Sequence, residues 1–245
     1  MHSTSLIREI ESAAYAAWPA AEVVEYDGWE LRYAHGFSRR GNSVYPSEPS
    51  TMDRGLKLEW CSAWYADRGV GLVVRQNPAT EPGLDRQLET LGYTCEGLTN
   101  VMVADLEPSE SVYPVFEEAP PDWWTAQRAL WGIAPNQVDA WRGIVDRIPS
   151  PVGFGLVVED GEPIAAGVAA ISGTWLGVFE VVVAPKHRKR GVGRGLTMSL
   201  MNWGANRAAS KSFLQVVADN EAAIGLYESL GFDFAYPYWY RRAPA

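Results

Sequence analysis

Apolar positions along the chain recur at two periods, and each period predicts its own element. Residues 5–18 carry Leu6, Ile10, Ala13, Ala14 and Ala17 at helical spacing, with Pro19 as the stop. Residues 23–26 and 29–33 are short strand-like runs on either side of Asp27-Gly28, which predicts a hairpin. Arg39-Arg40-Gly41-Asn42-Ser43 is a polar link into Val44-Tyr45-Pro46. Residues 54–67 set Leu56, Trp60, Ala63 and Trp64 on one side of a helix. A strand at 70–74, a short helix at 83–91 closed by Gly92, and a strand at 98–106 follow. Pro108, Ser109, Ser111, Pro114, Pro120 and Pro121 then read as a linker.

Beyond that linker the spacing predicts helices over 123–131 and 137–148, which Pro149 and Pro151 separate from a strand at 152–158. A turn at Asp160-Gly161 leads to strands at 164–171 and 175–183. A helix to about residue 208, a strand at 213–217, a helix after Asn220 and an aromatic strand at 234–240 complete the chain. The halves repeat each other. Leu72-Val73-Val74-Arg75-Gln76-Asn77 lies against Gln215-Val216-Val217-Ala218-Asp219-Asn220, and Leu88-Glu89-Thr90-Leu91-Gly92-Tyr93 against Tyr227-Glu228-Ser229-Leu230-Gly231-Phe232. Val44-Tyr45-Pro46 lies against Val183-Ala184-Pro185, and Arg54-Gly55-Leu56 against Arg194-Gly195-Leu196, all at offsets of 139 to 143. Four matches in one order predict two α/β (α+β) units, each a mixed, mostly antiparallel sheet flanked by helices, divided as residues 1–112 and 113–245.

Composition narrows the classes. A length of 245 residues suits one large domain or two ordinary ones, and 47% apolar content supports a packed core. Cys61 and Cys95 match no metal spacing, so no metal is expected and both read as thiols of a reducing compartment. The first residues lack the basic, apolar and small-residue series of a leader, and no apolar run approaches a membrane span. A cytoplasmic chain without membrane contact is expected. Net charge is −9, and residues 1–115 hold 17 acids against 9 bases. That balance disfavours nucleic acid as partner and suits a cationic amine, or is a plain solvated acidic surface.

The chemistry concentrates in one stretch. Val181-Val182-Val183 ends at Pro185, and the following loop holds Lys186, Arg188, Lys189, Arg190 and Arg194 with no acid. Gly191 and Gly193 lead into a helical pattern of Val192, Leu196 and Leu200. A strand, a basic glycine turn and a helix N-terminus make an anion site, because free amides point outward and missing side chains admit a phosphate. A second piece follows. Asn220 is a good N-cap, Gly231 fits a left-handed C′ position, and Tyr227 lies about two turns from Asn220 on the same face.

Arg188-x-x-Gly191-x-Gly193 after Val181-x-Val183-x-Pro185 resembles the acetyl-CoA pyrophosphate loop of the GNAT superfamily of N-acetyltransferases. The stretch from Asn220 to Phe232 resembles the family's helix after its splayed fifth strand. The resemblance covers residues 120–242. It implies acetyl-CoA as co-substrate, a pantetheine arm held by backbone groups of Val181 and Val183, and an amide near Val183 that stabilises an oxyanion. It also implies a pyrophosphate held by amides of Arg188, Lys189, Arg190, Gly191, Val192, Gly193 and Arg194. Asn220 belongs to the cofactor-binding set, and Tyr227 would donate a proton to the leaving sulfur. Glu180, on the strand just before the pantetheine site, is the candidate base; an edge salt bridge is the other reading of it. A water chain, His35 and His187 are alternative bases, and a half-buried helix aromatic is the other reading of Tyr227.

The N-terminal unit differs where chemistry would need it not to. Ser47-Glu48-Pro49-Ser50-Thr51-Met52-Asp53 stands where the second unit has its basic loop, and Leu88 stands where it has Tyr227. This unit resembles the degenerate half of tandem GNAT proteins, which implies that it walls the substrate cleft. Arg32, Arg40, Asn42 and Ser43 from the first unit, and Trp124, Trp131 and Tyr238 from the second, are the substrate candidates. Arginines suit a carboxylate and aromatics a flat or cationic group. The expected activity is acetyl transfer from acetyl-CoA to a primary amine of a small molecule. The alternative is a non-catalytic acyl-CoA sensor, which binds but releases no free CoA.

Overall fold

The computed structural model describes residues 3–149, 151–207 and 209–244. The first half runs α1 (Thr4–Ala16), β1 (Glu22–Tyr26), β2 (Trp29–Tyr33), β3 (Val44–Tyr45), α2 (Arg54–Ala66), β4 (Val73–Gln76), α3 (Leu84–Thr90) and β5 (Thr94–Asp105). The second runs β6 (Val115–Phe116), α4 (Pro121–Trp131), α5 (Val138–Val145), β7 (Val152–Glu159), β8 (Glu162–Ser172), β9 (Trp175–Val183), α6 (Val192–Ala205), β10 (Lys211–Val217), α7 (Glu221–Glu228) and β11 (Asp233–Arg242). Side-chain caps start three helices as their sequences dictate. Ser3 accepts from the Leu6 amide at 3.2 Å, Asp53 from Leu56 at 3.1 Å and Asn220 from Ala223 at 3.2 Å.

Two sheets were expected, one per unit; the structure has one. Among the described residues, eleven strands join in the order β1-β2-β3-β4-β11-β5-β10-β9-β8-β7-β6. The order is nonetheless symmetric about the β11/β5 pair. On one side β11, β4, β3, β2 and β1 follow; on the other β5, β10, β9, β8 and β7 follow in the same relation. The senses match too, since β3/β4 and β9/β10 are parallel while β4/β11 and β10/β5 are antiparallel. Each half sends its last strand into the other, so β5 lies between β10 and β11, and β11 between β4 and β5. The exchange pairs edges that two separate sheets would leave open.

The linker expected at 107–121 is fastened down. β6 pairs with β7. The Ser109 amide donates to Asn202 Oδ1 at 2.8 Å, and those of Val112 and Tyr113 donate to Ser199 Oγ at 3.0 and 2.9 Å. Apolar periodicity does not register the polar face of α6 that does this. One face of the sheet packs on α1, α4 and α5 through Trp18, Trp123, Trp141 and Phe213; the other packs on α6 and α7 through Leu196, Leu200, Trp203 and Phe232. A third cluster binds α2 and α3 to the first strands through Trp29, Leu58 and Leu88. Among the described residues, no helix is long and apolar enough to cross a membrane.

Candidate active site

The site begins where two neighbouring strands part. β9 and β10 pair only from Trp175/Lys211 to Val178/Leu214. Past that point β10 stays paired with β5 while β9 stays paired with β8, which leaves a wedge between Phe179–Val183 of β9 and 215–217 of β10. A register shift between β8 and β9 sets Glu180 and Val181 against Gly167 alone. Glu180 takes the left-handed conformation there, with φ 51. Such a backbone persists only where its surroundings hold it. Gln127 Nε2 and Trp131 Nε1 donate to the Glu180 carbonyl at 2.7 and 2.9 Å, and Trp123 Nε1 donates to the Gly167 carbonyl at 3.0 Å.

The bulge turns the Glu180 carboxylate beneath α4 and α5. Trp141 Nε1 donates to its Oε2 at 3.2 Å, and Gln127 Nε2 reaches the same oxygen at 3.4 Å. Burial pushes the carboxyl up to about 7, against the smaller opposing effects of Trp141, the Arg40 charge and Gln127. Glu180 borders a cavity of about 400 Å³. Val181, Asn220 and Tyr227 line it from the second half, and Trp18, Phe37, Ser38 and Arg40 from the first. Burial raises the Tyr227 phenol above its ordinary value, so the hydroxyl stays protonated.

The basic loop has the geometry of an anion cradle. Lys189 and Gly191 are left-handed, with φ 61 and 79. Gly191 caps α6 without a side-chain bond, and the first turn contains no acid. The first amides of α6 therefore have no intrahelical acceptor. Two arginines are turned to other tasks. Arg188 Nε donates to the Val183 carbonyl at 3.1 Å, and Arg190 grips Glu159 at 3.0 and 2.8 Å, with His187 at 3.0 Å from the same carboxylate. The equivalent loop of the first half is filled from within. Asp27 accepts from the amides of Thr51 and Met52, each at 3.0 Å, from the hydroxyls of Thr51 and Ser50, and from buried Lys57 at 3.2 Å. Those bonds, that from Thr51 foremost, hold its carboxyl well below the usual range.

Other predicted residues are scattered. Trp131 and Tyr238 line a second cavity of about 640 Å³ that adjoins the first, and so does Asn42. Asn42 accepts from the amides of Ala34 and Gly36 at 2.9 and 3.0 Å and donates to the carbonyls of Phe37 and Ser38, so it shapes the loop that presents Arg40. Arg32 is buried elsewhere, bonded to Glu30 and to the Tyr15 and Trp18 carbonyls. Ser43 is fully buried, and Trp124 packs on Trp123, Trp141 and Arg142 away from both cavities. His35 is exposed against Tyr33. Val183 ends the β9 side of the wedge and does not line the cavity. Gln127, Trp141, Trp18, Phe37, Ser38 and Gln215 were not anticipated; only a three-dimensional neighbour relation marks them.

A family model described as "Probable histone acetyltransferase Rv0428c C-terminal" matches residues 4–241. The chain is 29% identical over 244 residues to "Uncharacterized N-acetyltransferase YobR" of Bacillus subtilis (strain 168), covering 96% of this chain and 98% of that protein. It is 32% identical over 241 residues to "Probable histone acetyltransferase Rv0428c" of Mycobacterium tuberculosis, covering 94% and 71%. Among solved structures, "GCN5-related N-acetyltransferase from Kribbella flavida" shares the fold with a TM-score of 0.73, at 20% identity over 97% of this chain and 95% of that one.

Proposed function

Because the chain belongs to the GNAT family of N-acetyltransferases, we propose that it moves an acetyl group from acetyl-CoA to a primary amine of a small molecule by direct attack. The observation that carries the reading is the wedge between β9 and β10 with Glu180, Val181, Asn220 and Tyr227 on one cavity. The residues present fit the donor. The β9 edge freed at the wedge offers backbone groups for an extended arm, and the uncapped, acid-free start of α6 offers amides for a pyrophosphate. Acetyl-CoA would supply the acetyl group activated as a thioester. The amides of Arg188 to Arg194 would hold its phosphates, and Val181 and Val183 its arm.

The chain's own groups would then move two protons. Glu180, with a carboxyl near 7, is poised to take one from the acceptor ammonium at neutral pH. Tyr227, kept in its phenol form by burial, would give one to the departing thiolate. The strand order supports reading residues 1–112 and 113–245 as two copies of one unit. The Asp27 carboxylate, seated on the loop amides of the first copy, supports a first copy that has lost donor binding and serves as the cleft wall.

A panel of primary amines with acetyl-CoA, read by thiol release, tests the activity. Free CoA should appear with at least one amine, and calorimetry should count one CoA site per chain. Binding without thiol release across the panel would overturn the transferase reading, and two sites would overturn the division of labour.

A further inference from the structure

We propose that the acceptor carries an anionic group, a carboxylate, a few bonds from its reacting amine, and that Arg40 and Gln215 bind that group. The inference rests on the acetyl-transfer reading and names its substrate class as a small amino carboxylate.

Two cavities meet at one wall. The first holds Glu180 and Tyr227; the second lies over Tyr238 and Tyr240; Ser38, Arg40, Trp131, Gln215 and Val217 belong to both. At this wall the buried donors outnumber their acceptors. Arg40 Nε and Nη1 are buried without a hydrogen-bond partner, and so is Gln215 Nε2. The Gln215 carbonyl oxygen is already engaged, accepting from the Tyr238 hydroxyl at 3.1 Å. Buried donors of this kind ordinarily find partners, so three at one place call for an acceptor from outside the chain.

The charges say which acceptor. Arg39 and Arg242 also line the second cavity, but both reach Glu96, at 3.7 and 2.8 Å. Arg40 has no ion pair among the described residues. Its guanidinium lies over aromatic faces instead, 5.0 Å from the Trp18 ring and 5.2 Å from the Phe179 ring. Those contacts hold it beside both rings and leave Nε and Nη1 without a protein acceptor; a guanidinium's paired N–H groups match an oxyanion's paired lone pairs. A second cation on the acceptor would instead meet like charge.

Position sets the span. Arg40 packs on Phe179, the residue before Glu180, and its charge acts on the Glu180 carboxylate. Glu180 and Arg40 line one cavity, so an acceptor that offers an ammonium to the first and a carboxylate to the second, as an amino acid does, meets both. A lysine side chain within a basic peptide offers no such pair.

The test uses the full chain, saturating acetyl-CoA and matched acceptors: amino acids, the same compounds as carboxamides, and a lysine-rich peptide. At least one amino carboxylate should exceed its carboxamide by about 10²-fold in kcat/KM, with the difference mostly in KM. Arg40→Met keeps the packing between Trp18 and Phe179 and removes the donors; it should bring that ratio close to one. Arg40→Lys keeps the charge without the fork and should retain part of the preference. Acetyl-CoA affinity by calorimetry, unchanged in both variants, separates lost recognition from lost folding. Carboxamides as good as acids, a preference that survives Arg40→Met, or a preferred lysine-rich peptide would each overturn the proposal while leaving acetyl transfer standing. No thiol release with any acceptor by a wild-type chain that binds acetyl-CoA would overturn both.

Discussion

Glu180 carries opposite signs for activity and for stability, and the two can be measured separately. A base works deprotonated, so kcat/KM should rise with pH through an apparent value near 7, and Glu180→Gln should remove that limb and lower the rate by about 10²-fold or more. Stability runs the other way. The folded carboxyl sits above the ordinary glutamate value of 4.5, so its contribution is full below that value and is lost as pH rises through about 7. Glu180→Gln should thus gain in Tm relative to wild type between pH 5 and pH 8. An unchanged pH–rate profile in the variant would remove Glu180 as base. Tyr227 sits at the other end of the reaction. Tyr227→Phe keeps the ring that packs 6.0 Å from Phe232 and removes only the hydroxyl with its proton. We expect kcat to fall about 10²-fold with CoA affinity little changed, and an alkaline limb, shifted above the ordinary phenol value, to vanish. A rate and an alkaline limb both unaltered would take Tyr227 out of the mechanism.

The loop from β9 into α6 was legible as an element because its chemistry is contiguous: a strand, a proline, bases and phased glycines. Its detail agrees with that reading. Gly191 has φ 79, which an L side chain adopts at a cost of about 1–2 kcal/mol. A Cβ at Gly193 would stand 3.3 Å from Val183 and 3.4 Å from Leu226, so any bulk there presses α6 away from β9 and α7. Valine at both positions should abolish CoA binding in calorimetry, and a tight site surviving in that double variant would show that the loop is not the phosphate site. The Asn220 cap and the left-handed Gly231 were likewise readable, since each is local. Glu180 shows where locality ends. Its place on the strand was visible, but its left-handed turn depends on Gln127, Trp131 and Trp141, 39 to 53 residues away. Arg32 and Arg40 show the same limit. As sequence they are equivalent candidates, yet one is consumed by carbonyls and a glutamate, while the other opens on the cavity.

At the scale of the molecule, the exchange of β5 and β11 joins the two halves in one continuous sheet. The short matches in the sequence predict two units; they could not reveal the strand exchange, because pairing across 106 to 169 residues leaves no periodic trace. The junction is secured by a buried ion pair. Arg75 of β4 bonds Glu11 of α1 at 2.7 Å, with both side chains 1% exposed. The Tyr236 hydroxyl of β11 donates to the same Glu11 oxygen at 2.8 Å, Arg75 donates to the Tyr240 hydroxyl at 3.3 Å, and its guanidinium lies 3.5 Å from the Tyr238 ring centre. First-half elements thus clamp the strand that the second half lends them. Glu11→Ala would leave the Arg75 charge buried and uncompensated, which costs about 3–5 kcal/mol. If the halves were independent, that loss would fall on the first half alone and unfolding would split into two steps. One continuous sheet predicts instead a single denaturant transition in wild type and variant, shifted to lower midpoint with an unchanged slope. Fluorescence from Trp29 and from Trp203, each isolated by replacing other tryptophans conservatively, reports the two ends of the sheet. Coincident curves would support the clamp, and separate midpoints would refute it.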